Sequence, residues 1–339
     1  MLRENAEKVI STKPVPETGL EPVQALIRDD MQKVNALIQE KLHSDIGLID
    51  QLGHYIVSSG GKRLRPALVL LSANCFYYRQ NLHIKLAAII EFIHTATLLH
   101  DDVVDASVLR RGQITANQRW GNEASVLVGD FLYSRAFQMM VEVGSMHVME
   151  IMADATNTIA EGEVQQLLNR HDPETTEQRY LQVIHNKTAK LFEAAAQVGA
   201  VIAGQDHQTE QAMSNYGKHL GIAYQLVDDA LDYSAPDENL GKNIGDDLAE
   251  GKPTLPLLYA LWHGSDEQAA LIRNAIKRGS LESMDQICAA IAATGAIQHT
   301  RERARREAET AMQYLEGLPQ SEYLDALHML TRFAAERNY

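Results

Sequence analysis

Cysteine is nearly absent: Cys75 and Cys288 are the only two in 339 residues, and they stand far apart. That excludes a disulfide framework and a spaced zinc-ligand set, and it points to a reducing, cytoplasmic setting. Positive charge is also short, with 31 Lys and Arg against 45 Asp and Glu and a net charge of -14. A chain this acidic is not a nucleic-acid binder held by bulk charge, because phosphate neutralisation needs a basic surface. No uninterrupted apolar run reaches the length of a transmembrane segment, since even Leu191 to Gly204 contains Glu193 and Gln197. The start, Met1 to Leu20, mixes Arg3, Glu4, Glu7, Lys8, Pro14, Pro16 and Glu17 without a signal-type apolar stretch. It reads as a mobile tail, and any membrane contact as peripheral and transient.

Strand-type alternation is scarce as well, and helical periodicity fills the space. Leu26, Ile27, Val34, Leu37, Ile38, Leu42, Leu48 and Ile49 recur at three- and four-residue steps, as one buried helix face requires. The same signal returns over 86–104, 124–143, 148–168, 180–203, 211–231, 255–262 and most of the chain after Glu267. Breaks are short, as at Gly60-Gly61, Arg111-Gly112, Asp172-Pro173 and Pro236 to Gly251. With no long linker and no fixed-period repeat, the expectation is one all-α domain over 21–339, a bundle of roughly ten or more helices.

One acidic spacing occurs twice, as Asp101-Asp102-Val103-Val104-Asp105 and Asp228-Asp229-Ala230-Leu231-Asp232. On a helix the first and last Asp of each stack on one face, with the middle one offset by about 100°. A solvated acidic face explains either motif alone. Several carboxylates converging in one cleft repel one another, and a divalent cation removes that cost. Oxygen-only ligation favours a hard ion, and Mg²⁺ bridges one or two carboxylates to substrate phosphates. Basic clusters complete the set: Gly60-Gly61-Lys62-Arg63-Leu64-Arg65-Pro66 at a helix start, Arg110-Arg111 just after the first motif, and Lys242 and Lys252 around a glycine-rich loop. Cations beside carboxylates in an acidic protein suit two polyanionic ligands, one bound through metal and one by direct contact. Arg301, Arg303, Arg305 and Arg306 have no acidic motif nearby and read as a surface helix.

Four segments then carry a resemblance: IEFIHTATLLHDDVVDASVLRRG (Ile90 to Gly112), GGKRLRP, NKTAKLF (Asn186 to Phe192) and YQLVDDALDY (Tyr224 to Tyr233). In this order they resemble the trans-isoprenyl diphosphate synthases, nearest the octaprenyl-forming bacterial members, from about Gln24 to near the C-terminus. The resemblance implies an isoprenoid-synthase-type helical bundle around a deep central cavity, usually a homodimer, that joins isopentenyl diphosphate to an allylic diphosphate such as farnesyl diphosphate. It implies several Mg²⁺ ions held by Asp101, Asp105 and Asp228, with Asp102, Asp229 and Asp232 in support. Arg110, Lys187, Gln225, Lys242 and Lys252 would contact the allylic substrate, and Lys62, Arg65, His94 and Arg111 the isopentenyl diphosphate. The Lys187 carbonyl, Thr188 and Gln225 would face the allylic cation, and the long product would serve a quinone side chain. The residue types agree with that chemistry: charge separates as diphosphate leaves, and cations stabilise the leaving oxygens.

Short-chain members of that family close the tail pocket with an aromatic four or five residues before the first motif. Those places hold Thr97 and Ala96 here, with Ile93 and Ile90 farther back on the same helix. A deep tunnel and a long product are therefore expected, floored by Phe137, Met139 or Met140 on the next helix, although ordinary core packing explains that stretch equally. Ala106 and Val108 depart from the polar residues expected after the first motif. A terpene cyclase of the same fold needs no isopentenyl site, and a silent subunit of a heteromeric synthase needs no intact ligand set. Both are rival expectations.

Overall fold

The computed structural model describes residues 19–58, 60–234 and 244–337. Among them the chain forms seventeen α-helices, one π turn and a two-stranded hairpin. Helices α1 (Glu21–Leu26), α2 (Arg28–Leu42), α3 (Gly47–Ser58) and α4 (Leu64–Cys75) lead to α5 (Leu82–Val104). Strands β1 (Leu109–Arg110) and β2 (Gln113–Ile114) precede α6 (Ala116–Trp120), α7 (Asn122–Val143), α8 (Met146–Asn169) and α9 (Glu177–Ile184). The π turn, His185–Ala189, joins α9 to α10 (Lys190–Ile202), and α11 (His207–Leu231) follows. Then come α12 (Asp246–Ala249), α13 (Leu255–His263), α14 (Asp266–Arg278), α15 (Met284–Thr294), α16 (Ala296–Gln313) and α17 (Glu322–Glu336).

The long helices stack because their apolar faces are wide. Helix α5 is apolar nearly all round and packs against α4, α7, α2 and α10, while α11 lies between α10 and α16. By length and composition α5 could cross a membrane, yet 72% of its most apolar stretch is buried among other helices, which accounts for that apolarity. Leu68, Leu70, Leu71, Ile89, Ile90, Phe92 and Phe192 fill the main core, joined by Leu20 from the segment read as tail; residues 1–18 lie outside the described ones. Smaller clusters sit under α13–α15, around Leu257, Ile272 and Ile287, and between α9, α11 and α13, around Ile184, Leu226 and Leu258.

Local signals mark the helix ends. Asp206 caps α11 by accepting from the Thr209 N–H at 2.9 Å, and Ser265 with Gln268 forms a reciprocal capping box on α14. Outward, α7 and α8 leave Leu127, Val141, Met146, Val164, Leu167 and Leu168 exposed. The fold is all-α, as the periodicity predicts.

Candidate active site

Both acidic motifs sit at helix C-termini. Asp105 and Asp232 are the residues that cap α5 and α11, and their N–H groups still bond the carbonyls of Asp101 and Asp228 at 2.8 and 3.1 Å. The i and i+4 stacking read from the sequence therefore holds at both ends. A helix C-terminus already carries the negative end of the macrodipole, so carboxylates there add like to like and call for cations. Asp101, Asp105, Asp228, Asp229 and Asp232 all line one cavity of about 1090 Å³. The middle residues, Asp102 and Asp229, are both buried. Asp102 is buried against Arg110 at 2.7 Å, and burial raises its pKa against the pull of that guanidinium. Asp229 is buried too, and burial with Asp247 nearby pushes it up to about 8.

The protein's own cations meet the carboxylates. Asp105 pairs with Arg170 and, at 2.9 Å, with Lys252, which also pairs with Glu250. Burial works against the charged form of Asp105, but Lys252, Lys187 and Arg170 together hold its pKa below the ordinary value. Asp101 lies 3.5 Å from Lys187, and Asp228 accepts from Arg337 at 3.2 Å. Among the described residues, no three acidic or histidine side chains already stand around one point. The donor set nonetheless fits a hard ion, because Mg²⁺ takes one or two carboxylates and completes its shell with water and substrate phosphate. Such an ion would have Asp101, Asp105 and Asp228 available.

Lys187 and Thr188 fall in the π turn, a widened turn of a kind that often marks functional sites. The Thr188 hydroxyl donates to Gln225 Oε1 at 3.1 Å, and Gln225 Nε2 donates to Asp229 Oδ1 at 2.7 Å. Tyr180 donates to the other Asp229 oxygen at 2.5 Å. Asp229 thus fixes which end of the Gln225 amide faces Thr188. Asp232 accepts from the Asp247 N–H at 3.3 Å and ties α11 to the next segment.

A basic wall faces these groups in the same cavity: Lys62, Arg63, Arg65, His94, Arg110 and Arg111. Arg63 takes a left-handed φ of 49° and pairs with buried Glu91. Arg65 stacks 4.4 Å from the Phe192 ring centroid and lies 3.2 Å from His94 Nε2, while burial pulls it down to about 10. Burial, then the charges of Arg65 and Arg111, drive the His94 pKa well below its ordinary value, so the imidazole is neutral. Lys62 Nζ stands 5.2 Å from the Phe333 ring centroid. Arg111 donates to the Gly60 carbonyl, and a Cβ on Gly61 would lie 2.6 Å from its guanidinium. The glycine pair thus permits the close approach expected of it.

Of the residues expected to set product length, Thr97 lines the cavity and donates to the His94 carbonyl at 2.8 Å. Ile93, Ala96, Met139 and Met140 are closed into the core, and Phe137 lines a separate shallow groove with Tyr133 and Val141. Lys242 lies outside the described residues. The cavity also holds polar residues that the sequence reading did not single out, among them Glu91, Glu163, Gln166, Asp247, Glu250 and Arg337. Burial, against the nearby Lys187 and with the charge of Asp101, pushes Glu163 up to about 7.

The fold is an all-helical bundle in which two acidic helix ends and a set of basic side chains line one cavity. The Polyprenyl synthetase family matches residues 47–293, and the chain belongs to that family, a prenyltransferase of the trans-polyprenyl diphosphate synthase type. Octaprenyl diphosphate synthase of Escherichia coli is 53% identical over 321 residues, covering 94% of this chain and 99% of that protein. The all-trans-nonaprenyl-diphosphate synthase (geranyl-diphosphate specific) of Rhodobacter capsulatus is 45% identical over 316 residues, 93% of this chain and 97% of that one. A crystal structure of polyprenyl synthase from Caulobacter crescentus, complexed with calcium and isoprenyl diphosphate, superposes with a TM-score of 0.91 at 44% identity. It covers 96% of this chain and 100% of its own.

Proposed function

We propose that this chain condenses isopentenyl diphosphate with an allylic diphosphate, farnesyl diphosphate by preference, in repeated Mg²⁺-dependent steps that end at octaprenyl diphosphate. The observation that carries the reading is the placing of two carboxylate-bearing helix ends and a separate cationic wall on one cavity. Two diphosphates need two such subsites. Asp101, Asp105 and Asp228 would hold the ions, with Asp102, Asp229 and Asp232 fixing their surroundings, and such ions would supply charge neutralisation for the leaving diphosphate. Arg110, Lys187, Gln225, Lys242 and Lys252 serve the allylic substrate, and Lys62, Arg65, His94 and Arg111 the isopentenyl diphosphate.

The allylic C–O bond breaks with its electron pair leaving on diphosphate, where Lys187 and Lys252 stabilise the added charge. Thr188 and Gln225 present oxygens to the allylic cation, and Asp229 keeps the Gln225 amide so turned. The isopentenyl double bond forms the new C–C bond, and the released diphosphate takes the proton lost from the adjacent carbon. Carboxylates act here as ligands, not bases. Thr97 lies on the tail path, whereas Ile93, Ala96, Met139 and Met140 are packed in the core and Phe137 lines a separate groove. The exposed apolar side chains of α7 and α8 support a homodimer. The setting is cytoplasmic, the product suits a quinone side chain, and a passing membrane contact would release it.

The test is a product assay with purified chain, Mg²⁺, labelled isopentenyl diphosphate and farnesyl diphosphate, followed by mass analysis of the dephosphorylated alcohols. Octaprenol that disappears with EDTA is the expected result. Cyclic hydrocarbons from farnesyl diphosphate alone would replace this reading with a cyclase. No product from any primer would point to a missing subunit.

A further inference from the structure

Lys187 reaches the cavity from the π turn, but its place is set by the facing helix α8. Four of the five residues Gly162–Gln166 act on the turn. Gly162 has no side chain where a Cβ would lie 2.7 Å from the Lys187 nitrogen and 2.9 Å from the Asn186 carbonyl carbon, so the two backbones touch. Asn186 Nδ2 donates to Gln165 Oε1 at 3.0 Å. The Lys187 ammonium donates to Glu163 Oε2 at 2.6 Å and to Gln166 Oε1 at 2.7 Å, with Asp101 third at 3.5 Å. Two hydrogen-bond acceptors on α8 and the more distant Asp101 carboxylate on α5 surround the ammonium. Helical spacing puts 162, 163, 165 and 166 on one side of α8, while Val164, Leu167 and Leu168 are exposed on the other.

We propose that Glu163 is the positioning residue for Lys187: with Gln166 it fixes the ammonium in the cavity, so that Lys187 meets the allylic diphosphate without first being ordered. This rests on the reading that Lys187 binds that substrate. A free lysine side chain samples many rotamers, and a tether at two points removes most of that freedom before the ligand arrives. Asp101 is the longest of the three contacts and is the one asked to serve a metal ion. Glu163 and Gln166 keep the amine in place when Asp101 does so.

The test is a double-mutant cycle on the full chain, using Glu163→Gln, Lys187→Ala and the pair, with kcat and both KM values measured for the first condensation. Glu163→Gln keeps the side-chain volume, and circular dichroism checks the fold. The expected result is a fall in kcat of roughly 10- to 100-fold for Glu163→Gln, with KM for isopentenyl diphosphate unchanged. In the Lys187→Ala background the same substitution should then change kcat by less than about twofold, because its effect passes through the missing amine. An equal loss in both backgrounds overturns the positioning role while leaving the substrate role of Lys187 standing. Wild-type turnover by Lys187→Ala overturns that substrate role, and the proposal with it.

Discussion

Replacing Asp105 with alanine takes a carboxylate from between two cations. Asp105 is 7% exposed, with Arg170 at 15% and Lys252 at 14%, so neither partner is free to turn fully to water. Removing one side of a buried ion pair costs about 3–5 kcal/mol. Lys252 keeps Glu250 and Arg170 keeps the Val104 carbonyl, which places the cost near the lower figure. Asp101→Ala differs, because Lys187 retains both Glu163 and Gln166 and loses only a contact at 3.5 Å. Its cost is about 1 kcal/mol or less. Unfolding entropy of about 2.1 cal/mol/K per residue gives a chain of 339 residues ~0.7 kcal/mol/K. The thermal midpoint should therefore fall ~4 °C in Asp105→Ala and ~1.5 °C or less in Asp101→Ala. Scanning calorimetry in EDTA reads this without metal, and turnover with Mg²⁺ should fall at least about 100-fold in both variants. Equal midpoints in EDTA would refute the argument that the two ends of one motif differ in what they hold together.

Thr97→Phe should shorten the main product, read by mass analysis, because Thr97 lines the cavity. Ala96→Phe instead overfills a closed core position and should cost about 1–3 kcal/mol of stability; unchanged chain length in Thr97→Phe removes this residue from the tail path. Gly162→Ala forces a methyl against the π-turn backbone and should lower stability by about 1–3 kcal/mol, with an unaltered urea midpoint as the contrary result. Glu307 is buried, which opposes its charge, yet the His219 hydrogen bond and Arg303 hold its pKa below the ordinary 4.5. Its contribution is complete above that value and is lost as pH falls through the folded one. Glu307→Gln should flatten the fall of the urea midpoint below about pH 4.5, and a pH profile parallel to that of the unmutated chain would contradict the assignment.

The site was legible where chemistry follows local spacing. The Asp motifs needed only helix geometry to set Asp101 with Asp105 on one face and to offset Asp102 and Asp229 from it. The basic segment at Gly60–Arg65 announced itself by glycines beside cations. Glu163 and Arg337 could not be found that way, since their partners come from distant elements and a lone charge in a helical pattern resembles a solvated face. Arg303 shows the same limit from the other side: read as a surface residue, it pairs with buried Glu307. Met139 and Met140 show a third, because apolar character marks burial without saying whether a core or a cavity is filled. Periodicity also ran from 180 to 203 as one helical signal, and a single widened turn is too small a change to interrupt it.

That widened turn acts as a phase shift in an otherwise continuous rod. Upstream of it, Tyr180 and Ile184 point to the cluster they share with Leu226 and Leu258; downstream, Leu191, Phe192 and Ala195 point to the main core. One residue advances an α-helix by about 100°, so the extra residue of a π turn lets one rod serve two cores. Deleting a single residue between His185 and Ala189 would return the winding to a plain α-helix with the later side chains still facing their core, at the expense of the widened turn that carries Lys187 and Thr188. Lys187 and Thr188 ride on the very residues that absorb the shift, so the packing of the bundle and the placing of its reactive groups share one solution in the backbone.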